Sequence, residues 1–511
     1  MLPCIDFHQG TLRLRGLDAI AEALIQPYAM TYDPRQECWQ CDAMHALPLL
    51  RQIEEMLPGA AQEFRDSQLF TQIRTRIAVN SDRLPRLRPD QIDAIEAFDS
   101  HGRRGSVVMP TGTGKTLVAI SLLARYRLST LIVVPVRDLM YQWHSKILEL
   151  LGVDAGLIGD GVHRVSAISV TTYESAAIHM PRIGHRFGLL IFDEVHHLAG
   201  PWRSDAARMA LAPLRLGLTA TLPTDPQRLE TLQHLVGPTV YRQAIEQATG
   251  TTLAKYTIQR IAVKMDAQEE LAYRQYGQTI QQFVRERREQ NIAFQWDDTY
   301  KLAADTTSDP NLARQAAETL RAFRAKRKIE EQANAKFRVL EDLFRLHVGE
   351  PVLVFTGSNV MARQISLRFL IPCLLSHCAK RERQDLLRGF AEHRYPVLVA
   401  NRVLDEGVDL PEVKIAIVLG GLASTRQATQ RLGRVLRRGA SGQRATLYEI
   451  VTDDSNEVQR SRKRRRTAAY QLKNARPTAN RSTADRTAET PALFFFEDAG
   501  FDSPGGESSD P

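Results

Sequence analysis

The sequence predicts an α/β protein made of two parallel-sheet halves, with a helical insertion between them and a small α+β module at the N-terminus. Three observations carry this. From 105 to about 240, apolar runs alternate with stretches of helical spacing, the pattern of a parallel sheet covered by helices. The alternation stops over 265–347, where Gln, Arg, Glu and Ala dominate, and then returns in "EPVLVFTGS" (350–358), "YPVLVANRV" (395–403), "VKIAIVLGG" (413–421) and "ATLYEIVT" (445–452). In "LLIFDEVHHLAG" (189–200) the four residues before Asp193 are all apolar, which marks a strand buried on both faces.

Bulk properties set the frame. A chain of 511 residues with 43% hydrophobic and 25% charged residues has room for about three domains of roughly 150 residues. The net charge of +8 and pI near 9.2 favour a polyanionic partner, with part of the excess in the run "RSRKRRR" (460–466). Five cysteines, Cys4, Cys38, Cys41, Cys373 and Cys378, form no paired framework, which fits a reducing compartment. "MLPCIDFHQG" lacks the charged start and apolar core of an export signal. No apolar run approaches the roughly 20 residues of a membrane span. A cytoplasmic protein without a membrane partner is expected.

Element by element, residues 1–65 read as the small module: "TLRLRG" (11–16) alternates as a strand and "LDAIAEALI" (17–25) has helical spacing. "MTYDPRQECWQCD" (30–42) turns at Asp33-Pro34 into a second strand, and "ALPLLRQIEEML" (46–57) is a helix. A linker, 66–84, continues a helical stretch at about 60–80. The first α/β domain spans 85–245. Its expected elements are a helix at 115–126, strand "STLIVVPV" (129–136), helix "RDLMYQWHSKILELL" (137–151), and strands within 163–175, 187–194 and 214–222. The helical insertion is assigned to 246–347, the second α/β domain to 348–455, and a disordered tail, basic and then acidic, to 456–511.

The chemistry starts at "VVMPTGTGKTLVAI" (107–120). A glycine-rich turn between a strand and a helix is a phosphate loop in its proper context. Pro110, Thr111, Gly112, Thr113, Gly114, Lys115 and Thr116 form it. The two glycines let the backbone approach the phosphates, and the helix N-terminus holds their charge. Lys115 reaches the β and γ oxygens, and Thr116 offers its hydroxyl to Mg²⁺. The first glycine of the strict pattern is replaced by Met109.

Asp193, Glu194, His196 and His197 crowd two carboxylates and two imidazoles into five positions. Locally this reads either as a transition-metal site or as the acidic end of a nucleotide-hydrolysing strand. The phosphate loop about eighty residues upstream favours the second: Asp193 as Mg²⁺ partner, Glu194 as the base that positions water, and His196 as a link to the surroundings. The spacing arguments alone give a two-domain, Mg²⁺-dependent nucleotide hydrolase with a polyanionic partner.

Together these motifs resemble the superfamily 2 DEAD/DEAH-type helicases. The DEVHH form and the N-terminal extension are most similar to the XPB-like branch, strongly over 84–455 and more weakly over 10–60. The resemblance implies two RecA-like domains with ATP between them, DNA (single-stranded, forked or duplex) as the track, 3′-to-5′ movement, and a DNA-repair or DNA-processing role in a prokaryote. It assigns adenine reading to Arg88 and Gln91 in "LRPDQ". Backbone gripping falls to "VVPVRDLMYQW" and "VTTYES", and coupling of hydrolysis to movement to "LTAT" (218–221). In "ANRVLDEGVDLP" (400–411), Glu406, Gly407 and Asp409 would contact nucleotide and strand.

In "QATQRLGRVLRRG" (427–439), Gln430, Arg431, Arg434 and Arg437 share one helix face. That face is either solvated or, as the resemblance implies, carries the arginine fingers Arg434 and Arg437 with Gln430. The family's Arg-Glu-Asp element after "LTAT" is absent, and "LPTDPQR" stands there, which puts duplex opening in doubt. The insertion, with Arg285, Arg287, Arg288, Arg324 and Arg327, is either a thumb-like DNA grip or a solvated surface. Residues 1–65 resemble the branch's damage-recognition domain through "GTLRLRG" and "YDPRQECWQC", where Cys38 and Cys41 read as buried thiols ahead of a zinc pair. A protein partner is expected at the C-terminal tail, through "FFFEDAGFD". The rival readings are a duplex translocase in a restriction or defence assembly, an RNA motor, and a DNA-binding scaffold with a vestigial motor.

Overall fold

The protein is described from a computed structural model over residues 4–16, 21–56, 73, 76–244, 256–375, 377–401, 413–420 and 445–465. The N-terminal module is an antiparallel sheet of β1 (Cys4–His8), β2 (Thr11–Arg15), β3 (Thr31–Asp33) and β4 (Cys38–Asp42), in the order β1-β2-β4-β3. Helices Ala21–Tyr28 and Ala46–Met56 cover it, and Leu12, Leu14, Leu24, Leu49 and Ile53 fill the space between. Of the helical stretch expected near 60–80, residues 76 to 80 are irregular, with one antiparallel bridge from Arg76 to Leu128. Most of the remainder lies outside the described residues.

The first parallel sheet holds β5 (Arg104–Val108), β6 (Thr130–Val134), β7 (Gly156–Gly159), β8 (Val162–His163), β9 (Ile168–Thr172), β10 (Leu189–Asp193), β11 (Leu214–Thr219) and β12 (Thr239–Arg242). Its order is β12-β5-β11-β10-β6-β9-β7-β8, and only the β7–β8 pair is antiparallel. The unbroken apolar character of β10 has a simple cause. Leu189 and Ile191 enter the core under helices Lys115–Tyr126 and Arg137–Leu151, while Leu190 and Phe192 enter the one under helix Tyr173–Ile183. Each such side chain contributes about 1.5–3 kcal/mol by burial, so no position on this strand tolerates a polar residue until it leaves the sheet at Asp193.

The second sheet is parallel throughout: β13 (Tyr256–Val263), β14 (Val352–Thr356), β15 (Cys373–Leu374), β16 (Val397–Ala400), β17 (Ile415–Leu419) and β18 (Ala445–Thr452), in the order β13-β18-β17-β14-β16-β15. Two assignments change here. β13 pairs with β18 along its whole length, so residues 256–263 belong to this sheet and not to the helical insertion. The tail's first residues form a helix, Asn456–Arg465, where the sequence pattern predicts disorder. Glu457 anchors that helix: it accepts from Thr452 N at 2.8 Å and pairs with Lys336 Nζ at 2.8 Å. Both side chains are buried (0% and 1% exposed), so the pair ties helix Asn334–Leu346 to the end of β18.

A separate unit, Lys264–Ala335, is helical. Its helices are Ala267–Gln290, Asp298–Ala304 and Pro310–Gln332. Asp266 and Glu269 form a capping box on the first, with both reciprocal bonds at 2.9 Å. Phe283, Phe294 and Ala316 form its small core. Among the described residues no helix is long and apolar enough to cross a membrane. Glu406, Gly407 and Asp409, with Gln430, Arg434 and Arg437, lie outside the described residues, as does the tail beyond Arg465.

Removing one partner of a buried ion pair strands the other charge, which costs about 3–5 kcal/mol. Lys336→Met is therefore expected to lower the stability of the second α/β half by about that amount in chemical denaturation. An unchanged midpoint would mean that the Lys336–Glu457 pair contributes nothing.

Candidate functional site

The C-terminal ends of β5, β11, β10, β6 and β9 lie along one edge of the first sheet, the edge where open α/β sheets bind ligands. Register brings them level: Asp193 is opposite Leu218, and Thr219 is opposite Val108. The chain leaves β5 into the phosphate loop, fastened at its root by Met109 N donating to Thr219 O at 3.0 Å. Gly112 and Gly114 take left-handed backbone, φ 88° and 83°, which glycine adopts without strain. Gly114 is the N-cap of helix Lys115–Tyr126, and Thr113 Oγ1 donates to Pro110 O at 2.7 Å inside the turn. Lys115 is buried, and its ammonium donates to Met109 O (3.0 Å) and Pro110 O (3.3 Å). Thr111 Oγ1 is buried and has no hydrogen-bond partner among the described residues. Such a loop, with an orphaned hydroxyl and an ammonium resting on its own carbonyls, fits an incoming triphosphate.

Arg88 and Gln91 are wired to this loop. They flank the start of helix Pro89–Ser100, where Gln91 Oε1 accepts from Arg88 N at 3.1 Å. Gln91 Nε2 donates to Thr113 O at 3.1 Å, and the Arg88 guanidinium donates to the same carbonyl. Asp90 holds that guanidinium at 3.1 Å and accepts from Gln243 Nε2 at 3.4 Å. The segment around Arg88 and Gln91 is thus joined to the glycine-rich loop through one carbonyl oxygen, that of Thr113. A Cβ on Gly114 would lie 2.5 Å from Gln91 Nε2.

Asp193 is buried at the end of β10. Its Oδ2 accepts from Trp143 Nε1 at 2.8 Å and its Oδ1 from Glu194 N at 3.0 Å. Burial pushes the carboxyl pKa up, and the Trp143 hydrogen bond and the Lys115 charge oppose that push. Tyr173 OH donates to Asp193 O at 3.0 Å. Trp143 was not foreseen as part of the site. It stands fifty positions before Asp193, and the available signal was that a buried indole needs an acceptor for its N–H.

Glu194 turns the chain out of the sheet with φ 48° and starts the short 3₁₀ helix Val195–Ala199. Its Oε2 lies 3.5 Å from His196 Nδ1 and 3.4 Å from Thr219 Oγ1. His196 Nδ1 is 3.2 Å from the same hydroxyl, and Thr219 Oγ1 donates to Thr221 O at 2.7 Å. The expected link from His196 to its surroundings is therefore to "LTAT". Among the described residues no group of three or more His, Cys, Asp or Glu side chains is arranged to hold a metal. Cys38 and Cys41, both buried, sit at odd spacing on β4, so they face opposite sides of the sheet. Burial pushes the Cys41 thiol up to about 12, which opposes the thiolate that zinc needs.

Arg285, Arg287 and Arg327 of the helical unit make local contacts: Arg285 with Glu289 (3.9 Å), Arg327 with Glu331 (3.1 Å), and Arg287 over the Phe283 ring. Within the two α/β halves, Arg383 of helix Lys380–Ala391 pairs with Asp138 in the first turn after β6.

Residues 84–224 match the family described as Type III restriction enzyme, res subunit, and residues 312–487 match the ERCC3/RAD25/XPB C-terminal helicase. The chain is 38% identical to "DNA 3'-5' translocase XPB2" of Sulfurisphaera tokodaii, over 74% of this chain and 84% of that one. It is 29% identical to "DNA 3'-5' helicase XPB" of Kineococcus radiotolerans, over 75% of this chain and 63% of that one. It thus spans less than two thirds of the second relative's length. Among solved structures, the Pyrococcus furiosus Hef helicase domain superposes with a TM-score of 0.51 at 16% identity, covering 73% of this chain and 98% of that one. Saccharomyces cerevisiae Dbp5 bound to RNA and ADP BeF3 gives 0.51 at 15%, covering 75% and 87%. Both share the fold of two RecA-like halves.

Gly114→Ala forces a left-handed alanine and displaces Gln91 from the loop, a cost of about 1–2 kcal/mol from the backbone alone. It is expected to weaken binding of a fluorescent ATP analogue by about tenfold or more. Equal affinity in the variant would mean that the Gln91–Thr113 contact does not shape the loop.

Proposed function

Because the chain belongs to the XPB/Rad25 family of superfamily 2 helicases, we propose that it is an ATP-dependent DNA translocase or helicase that moves 3′-to-5′. The observation that carries the reading is the buried Asp193 carboxylate, fixed by Trp143 and facing the charge of Lys115 at the mouth of a phosphate loop. Mg²⁺-ATP supplies the phosphoanhydride bond whose hydrolysis drives movement. Thr116 and Asp193 would hold the Mg²⁺. Lys115 leaves the carbonyls of Met109 and Pro110 to stabilise charge on the β and γ oxygens, and Glu194 orients the attacking water. Pro110, Thr111, Gly112, Thr113 and Gly114 shape the cradle, while Arg88 and Gln91 read the base.

In this proposal Glu406, Gly407 and Asp409 contact nucleotide and strand from the second half, and Gln430, Arg434 and Arg437 complete the site when the halves close. Hydrolysis then depends on closure, and closure is the power stroke. Glu194, His196, Thr219 and Thr221 are in series, so a change at the water-positioning carboxylate reaches the segment after β11. The Lys264–Ala335 unit acts as a grip on the track, the N-terminal module as a sensor of DNA distortion, and the tail as a protein-docking segment. DNA repair or processing is the proposed setting.

Steady-state ATPase is expected to rise with single-stranded or forked DNA above the rate with RNA or no nucleic acid, and to vanish in Lys115→Ala while DNA binding persists. Stimulation by duplex alone would favour the duplex translocase reading, in keeping with the restriction-subunit match over 84–224. No turnover on any track would point to a scaffold. Trp143→Phe keeps the ring and deletes the donor to Asp193. It is expected to raise the Mg²⁺ concentration for half-maximal turnover several-fold, and an unchanged Mg²⁺ titration would remove Trp143 from the site.

A further inference from the structure

The turn that follows the acidic motif carries a half-exposed aromatic side chain. Trp202 is 51% exposed, and its backbone is left-handed at φ 49°. Left-handed backbone costs a non-glycine residue stability, and an indole in water forfeits its burial. Its neighbours in the turn, Gly200, Pro201, Arg203, Ser204 and Asp205, are small or polar and build no apolar patch for a protein partner.

Arg203 fixes the ring in place. Its guanidinium carbon lies 5.5 Å from the Trp202 ring centroid. Its Nη2 donates to Glu174 Oε1 at 2.9 Å, and its Nη1 is 3.2 Å from His197 Nδ1. Glu174 is the second residue of helix Tyr173–Ile183, whose N-cap Thr172 accepts from Ser175 N at 3.2 Å. Tyr173 OH in turn holds Asp193 O. The turn is therefore clamped between the acidic strand end and the start of the "VTTYES" helix, and Trp202 on it stays half-exposed with Arg203 over its ring.

We propose that Trp202, braced by Arg203, is a stacking platform for an unpaired base of single-stranded DNA. The proposal rests on the DNA-motor reading. A rigid indole offers a π-face on which any base can stack, and the adjacent guanidinium adds a cation for the phosphate backbone. Because Arg203 also holds His197 and Glu174, strand engagement at Trp202 is felt one residue from His196.

The chain has four tryptophans, and the other three are packed: Trp143 is buried, Trp39 lies against Tyr32 and Trp296 against Phe323. Intrinsic fluorescence of the full-length protein, titrated with oligo(dT) and with blunt duplex, tests the proposal. The wild type is expected to be quenched by oligo(dT), Trp202→Phe to lose most of the quench, and Trp39→Phe and Trp296→Phe to keep it. Trp202→Ala should bind oligo(dT) about tenfold more weakly with a much smaller effect on blunt duplex. A full quench in Trp202→Phe, or equal weakening on both DNAs, overturns the platform. If no DNA stimulates the wild-type ATPase, the motor reading fails, whereas stimulation with an undiminished quench in Trp202→Phe sinks the platform alone.

Discussion

A carboxylate without water is the constraint on which the rest of the first α/β half is built. Asp193 sits at the end of a strand whose preceding four residues are all buried, and desolvation pushes its carboxyl pKa up. An indole N–H at 2.8 Å, a backbone N–H at 3.0 Å and the nearby Lys115 ammonium oppose that push. Each of these donors comes from a different part of the chain: helix Arg137–Leu151, the turn at Glu194, and the phosphate loop. They meet only if β5, β11, β10 and β6 are adjacent in the order observed. The sheet topology and the set of donors around one side chain are therefore the same requirement.

The same side chain explains how events outside the pocket reach it. Trp143 and Tyr173 stand on the helices that follow β6 and β9, and both donate to Asp193, one to the carboxylate and one to the main-chain carbonyl. These are the two helices that the family resemblance places against a nucleic-acid backbone. A shift of either helix by one ångström would lengthen a hydrogen bond to Asp193. On the other side Glu194 connects to Thr219 and Thr221 through a single hydroxyl and His196. Two adjacent acids thus face in two directions, one toward the helices that follow β6 and β9 and one toward the segment after β11.

What could be read in advance follows from burial. Central strands were legible because both of their faces are dry, and so every residue must be apolar. Each strand that pattern reading missed lies at or beside a sheet edge: β1 in the N-terminal sheet, β12 and β8, with β7 next to it, in the first parallel sheet, and β13 and β15 in the second. "YTIQRIAV" in β13 mixes Gln and Arg with Ile and Val and carries exposed positions, because an edge strand has a wet side. The phosphate loop and the acidic pair were legible because their chemistry needs fixed residue types at fixed spacing. The Trp143–Asp193 bond, and the Lys336–Glu457 pair that orders the helix after β18, span 50 and 121 residues. No local pattern encodes contacts of that reach.

The stretch after "LTAT" shows how a departure from the family can be put to local use. Asp225 in "LPTDPQR" caps helix Pro226–Leu235, accepting from Gln227 N at 3.0 Å, with Pro226 in the first turn and Arg228 held 3.7 Å from the same carboxylate. Its charged residues are thus engaged in starting a helix. That helix is itself fixed from below, since its last carbonyl, Leu235 O, accepts from the fully buried Arg215 at 2.8 Å. A buried guanidinium is tolerable there because three main-chain carbonyls, those of Ala210, Ala212 and Leu235, take its donors. One of them ends a helix, where the dipole favours a cation. A segment capped at one end and bolted at the other is poorly placed to supply a mobile wedge between DNA strands. Any strand-separating contact from this half has to come from a side chain that the fold holds outward.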